Sequence, residues 1–167
     1  MWFDSGSIKI LLGRPEDAIN DLDEAIRLKP DYFDALNNRG IAKMQLGQLE
    51  AAIKDFNETI RLKSDNADAW NSRGVAKMQP EQYKSAIIDF DQAIKLNPQY
   101  TSAYKNRGKA FGTLGLHEKT LEDFFKGLQT DKNDGEIIDL INTAINNIKE
   151  NNNISSSTLI WHAFFGI

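Results

Sequence analysis

Cysteine is absent from the 167-residue chain, which removes disulfides, thiol nucleophiles and every cysteine-based zinc site. Histidine occurs only at His117 and His162. Neither has an acidic or histidine neighbour at metal-ligand spacing, so no metal site and no catalytic imidazole are expected. No segment stays apolar for the ~18 residues that a membrane span requires. The start, MWFDSGSIKILLGRPED, lacks the charged region and long apolar core of a signal peptide, so a cytoplasmic location is expected. No basic run of five or more occurs, and a net charge of −4 with a pI near 5.2 argues against a general nucleic-acid binder. A glycine-rich phosphate loop and a nucleophile elbow are missing too. No cofactor is expected, and the chain reads as non-catalytic.

What is present is a repeat. A step of 34 residues superposes Ala35, Ala69 and Ala103; Arg39, Arg73 and Arg107; and Gly40, Gly74 and Gly108. The same step aligns Ala18, Ala52 and Ala86, then Asp21, Asp55, Asp89 and Asp123, then Leu22, Phe56, Phe90 and Phe124. A fixed period of this size marks a solenoid whose units bury their apolar faces against their neighbours. Within one unit, Leu36, Arg39, Gly40 and Lys43 fall at helical spacing, Leu46-Gly47-Gln48 breaks the pattern, and Ala52, Ile53, Phe56 and Ile60 start it again. Each unit is therefore expected to be a helical hairpin. Pro15 falls where a second helix begins, and Pro30 and Pro98 follow second helices. Gly40 costs about 1 kcal/mol against alanine within a helix, and close helix approach opposite Ala52, Ala86 or Thr120 is the expected reason for it.

Period, helix pair and the pattern W/L/Y-x-x-R-G … G-x-x-x-x-A-I-x-D-F-x-x-A-I-x-L-x-P together resemble the tetratricopeptide repeat family. The resemblance implies an all-α, right-handed superhelical solenoid of antiparallel helix pairs over residues 1–150. Its units would run 1–32, 33–66, 67–100 and 101–134, with a capping helix at 136–149, where Ile137, Ile141, Ile145 and Ile148 share one face. Residues 151–167 are expected to form a polar linker and an apolar tail. The chain departs from the usual family pattern with arginine before the glycine and with Lys43 and Lys77 where tyrosine is common. A polar network among the helices is expected from both, with each arginine meeting a recurring aspartate of its own or the preceding unit.

The resemblance implies a protein-interaction scaffold or adaptor whose first helices line a concave groove for a protein or peptide partner. A regulatory or targeting module of a larger enzyme is the alternative. The family's groove positions fall on Asp34, Asn37, Asn38, Ile41, Met44 and Gln45; on Asp68, Asn71, Ser72, Val75, Met78 and Gln79; and on Ser102, Lys105, Asn106, Lys109, Gly112 and Thr113. The asparagines resemble the ladder by which such arrays hold a peptide backbone, an amide having both donors and an acceptor, and Lys105 with Lys109 marks a site for acidic residues. The family's carboxylate clamp for chaperone tails needs lysine, asparagine and arginine at set groove positions, where this chain has Asn37, Ile41, Ser72, Ser102 and Asn106 or, one unit earlier, Phe3, Ser7, Asn38, Asp68 and Ser72. The cations are missing, so chaperone-tail binding is not expected. The terminal TLIWHAFFGI clusters Leu159, Ile160, Trp161, Phe164, Phe165 and Ile167. Its expected destinations are the capping helix, the groove, or a second copy, and homo-oligomerisation through this tail ranks first.

Overall fold

The computed structural model describes residues 1–152. These residues contain nine α-helices and no strand: α1 (Trp2–Leu11), α2 (Pro15–Leu28), α3 (Phe33–Gln45), α4 (Leu49–Leu62), α5 (Ala67–Ala76), α6 (Tyr83–Leu96), α7 (Thr101–Thr113), α8 (His117–Thr130) and α9 (Gly135–Asn152). The architecture is all-α with consecutive helices packed in pairs. The chain divides into two compact units, Met1–Gln82 and Tyr83 onward.

Turn chemistry sets most helix ends. Gly13, Gly47 and Gly115 sit at whole multiples of the 34-residue step, with φ of 68°, 70° and 73°. Glycine adopts this left-handed conformation without steric cost, which closes the first helix of its hairpin. The corresponding position in the third repeat is Glu81, preceded by Pro80. Proline disfavours helical backbone at the residue before it, and no glycine supplies the positive φ. Accordingly α5 stops at Ala76 after 10 residues, whereas α3 and α7 each run for 13. Pro15 opens α2 at a position where its missing N–H costs nothing.

In the first unit, Ala35 and Ala42 of α3 lie fully buried against Ala18, Leu22 and Ala25 of α2. Ala52 and Phe56 of α4 bury with Ala76 of α5. Small residues on each first helix thus let it settle onto the preceding second helix. Gly40 has a different reason from the one expected. A Cβ placed there would come within 2.6 Å of the Phe56 ring, and one at Gly108 within 2.6 Å of the Phe124 ring. The glycine makes room for the large aromatic of the second helix, not for Ala52 or Thr120. Burying such a ring stabilises by about 1.5–3 kcal/mol.

In the second unit, α9 continues the repeat frame with Ile137 where α7 has Ala103. Ile137, Ile141, Ile145 and Ile148 pack on Leu121 and Phe124 of α8. The bulkier isoleucine is accommodated by Gly127, whose Cβ would lie 2.9 Å from Ile137 Cδ1. The corresponding second-helix residues are Ala25, Thr59 and Ala93. The helix runs through Asn151 and Asn152, two residues into the stretch expected as linker.

Candidate functional site

In the first unit α3 touches α1 and α5 as well as its own partner α4, so first helices stand beside one another and their outward residues share a wall. Asn37 and Asn38 are half-buried there, Asn71 is buried, Ser72 is half-buried, and Asp34 and Asp68 are exposed. Ile41 and Met44 pack partly on the Ala52, Phe56 and Ala76 cluster, which consumes much of their apolar surface. Val75 remains open at 37%. Met78, expected on a helix face, lies in the turn after α5 because that helix ends early. Asn38 Nδ2 donates to Ser7 Oγ at 2.9 Å, and Ser7 Oγ donates to the Phe3 carbonyl at 2.9 Å. The Asn37 Oδ1 acceptor is buried with no hydrogen-bond partner among the described residues.

Behind this wall runs the polar network. Arg39 forks onto Asp55, with Nε donating to Oδ2 at 2.9 Å and Nη2 to Oδ1 at 2.6 Å, while its Nη1 reaches Asp23 of the preceding repeat at 2.6 Å. Lys43 adds a second cation to Asp55 at 2.7 Å. Asp55 above all raises the Arg39 guanidinium above its ordinary range, with burial working against it and Asp23 adding to the rise. In the repeat before, Ser5 and Lys9 take these places and both donate to Asp21. Lys9 above all, then Ser5, lowers the Asp21 carboxyl despite burial. Arg73 sends Nη1 to Asn57 Oδ1 at 2.6 Å and lies 4.6 Å over the Trp70 ring.

In the second unit Arg107 repeats the fork, with Asp123 at 2.7 and 2.6 Å, and its Nη1 donates to Asp91. Burial pushes the Asp123 carboxyl up while Arg107 pulls it down. The pair is ionised, because a guanidinium keeps its proton and two directed charge-assisted bonds stabilise the carboxylate. The aspartates at position 23 of the repeat were legible as partners. The second partner set, Asp23, Asn57 and Asp91, recurs at the same step and was the signal left unused.

The lysines expected to receive acidic residues are already engaged. Lys105 Nζ donates to Glu136 Oε2 at 2.7 Å and to Asp134 Oδ2 at 3.3 Å, and Lys109 Nζ donates to Glu136 Oε1 at 2.6 Å. Lys105 first and Lys109 next depress the Glu136 carboxyl to about 2. Asp134 Oδ1 also accepts from the Ile137 N–H at 3.0 Å, capping the start of α9. Asn106 lies half-buried on the same helix as the lysines. Among the described residues no cluster of His, Cys, Asp or Glu is arranged to hold a metal ion, and no helix is long and apolar enough to cross a membrane. Leu159, Ile160, Trp161, Phe164 and Phe165 lie outside the described residues, as does His162.

A TPR repeat family model matches residues 6–47, 42–80 and 76–115. No curated protein sequence matches the chain. Among solved structures, the chain resembles MamA with a TM-score of 0.78 and 22% identity, covering 95% of this chain and 91% of that one. A MamA structure from Desulfovibrio magneticus, residue 41 to the end, gives a TM-score of 0.79 at 20% identity, covering 97% and 90%. The first TPR domain of Spaghetti (RPAP3), solved with the HSP90 peptide SRMEEVD, gives 0.67 at 22% identity, covering 70% and 92%. These similarities show a common fold. With the family model spanning well over half of its length, the chain belongs to the TPR repeat family.

Proposed function

We propose that the protein is a non-catalytic interaction scaffold that holds an extended peptide segment of a partner along the exposed faces of its first helices. The observation that carries this reading is the row of amide and hydroxyl groups on the wall of the first unit: Asn37, Asn38, Asn71 and Ser72 beside the open Val75. Amides can pair with a peptide backbone whatever its side chains. The RPAP3 domain, of the same fold, was solved with a peptide. In the second unit the corresponding face carries Lys105, Asn106 and Lys109. Screening a peptide library against the intact chain tests the reading. Asn38→Ala and Ser72→Ala together, both in the first unit, should weaken a selected peptide while leaving the helical content intact, and undiminished binding by the double variant would refute backbone capture on this wall.

We also propose self-association through the terminal tail. The isoleucine face of the capping helix is already taken by α8, with Ile137, Ile141, Ile145 and Ile148 at most 7% exposed, which favours a second copy over that face. Truncation after Asn152 should abolish a dimer seen by light scattering. A full-length chain that stays monomeric at high concentration would overturn this.

A further inference from the structure

The Lys105–Glu136–Lys109 cluster has the form of an occupied receptor. Each Glu136 oxygen takes one ammonium, Oε2 from Lys105 and Oε1 from Lys109, which is how a carboxylate arriving from outside would also be held. We propose that the Lys105 and Lys109 pair receives a side-chain carboxylate of an acidic peptide, and that Glu136 holds that place in the free protein, so that binding exchanges one carboxylate for another. This deepens the peptide-scaffold reading and rests on it.

Three features favour exchange over a fixed tie. First, Glu136 is 54% exposed and Lys109 37%. Pairs this open to water are weak and readily replaced. Second, the receptor survives the departure of Glu136. Lys105 is only 17% exposed and keeps Asp134, which the Ile137 N–H fixes in turn. With Glu136 gone, two ammonium groups face one carboxylate, and the unbalanced charge favours an anion. Third, α9 does not depend on Glu136 for its position, because its isoleucine face is buried on α8. The displaced carboxylate would still lie in the first turn of α9, where the helix dipole favours it.

The charge pattern identifies the partner. At the equivalent positions the first unit has Asn37 with Ile41 and Asn71 with Val75, so the two-lysine arrangement belongs to α7. On a chain of net charge −4, this pair becomes a local cationic site for an acidic peptide once Glu136 has left it.

The test uses the full chain at low ionic strength and a labelled hexaglutamate peptide, acetylated and amidated, with hexaglutamine as control, read by fluorescence anisotropy. Glu136→Gln should bind hexaglutamate about fivefold tighter than wild type, the scale of one exposed pair removed from the competition. Hexaglutamine binding should not change, and the gain should vanish in Glu136→Gln combined with Lys109→Gln. In the wild type, saturation with hexaglutamate should move the Glu136 carboxyl-carbon resonance at neutral pH. This readout decides the matter even where Glu136→Gln costs helix by circular dichroism. No tightening in a folded Glu136→Gln, a gain that persists without Lys109, an unmoved Glu136 resonance, or no hexaglutamate binding by either chain would each overturn the proposal. Library peptides that bind the wall of α1, α3 and α5 while hexaglutamate ignores Glu136→Gln would remove this proposal and leave the scaffold reading standing.

Discussion

Asp55 and Asp123 occupy the same place in their repeats, yet they are held differently. Asp55 receives the Arg39 fork and the Lys43 ammonium. Asp123 receives the Arg107 fork, but Phe111 stands where Lys43 would be, and among the described residues no second cation bonds to it. Both carboxylates are nearly out of water, with side-chain exposures of 6% and 3%. The difference shows that one position of the repeat, four residues after the arginine, decides whether a buried carboxylate has a reserve partner. The first repeat shows the complementary case, in which Ser5 replaces the arginine and Lys9 carries the charge.

Removing the arginine from each rung is the strongest way to break the comparison. Arg107→Met strands Asp123 without a cation, so a loss of about 3–5 kcal/mol is expected from chemical denaturation. Arg39→Met leaves Lys43 on Asp55 and should cost about 2 kcal/mol, because the remaining charge is still partnered. Equal losses would show that the lysine contributes nothing. Gly40→Ala and Gly108→Ala come next. Each sets a methyl against an aromatic ring, and overpacking outweighs the helix-propensity gain to leave a net cost of about 1–2 kcal/mol in the unfolding midpoint.

Acid titration sharpens the contrast between units through Glu136. Its folded carboxyl lies at about 2 against an ordinary 4.5, held down by Lys105 and Lys109. A depressed carboxyl stabilises the fold fully above its unfolded value, and that contribution fades as pH falls from about 4.5 through about 2. Because Glu136 is more than half exposed, the amount is under about 1 kcal/mol. The stability difference between wild type and Glu136→Gln should therefore shrink over that range, as read from thermal unfolding at successive pH values. The smallest effect is expected at the surface. Arg61→Gln, which removes the exposed pair with Glu58, should leave the midpoint unmoved.

Much of this was legible because a repeat reports each structural requirement several times. The arginine and aspartate periodicity announced the network, and the prolines and glycines announced the hairpins. Legibility failed where the frame carries an exception or where two requirements share a position. Pro80 and Glu81 shorten α5 and move Met78 off the helix face, an effect visible in the local turn chemistry but hidden by the regular spacing. Gly40 was legible as a packing residue, although its true neighbour was Phe56 and not the smaller Ala52. Side-chain direction decides that, and spacing alone does not carry it. Glu136 went unread as a ligand for Lys105 and Lys109 because it falls outside the fourth repeat, in the first turn of a helix valued for its isoleucines.

The most direct measurement is residue-resolved: nitrogen-15 NMR spectra of the full chain titrated with a library-selected peptide, followed amide by amide in the first unit. Shifts gathered on α3 and α5 at Asn37, Asn38, Asn71 and Ser72 are expected from capture on the first-helix wall. Shifts confined to α2 and α4, with that wall unmoved, would contradict it.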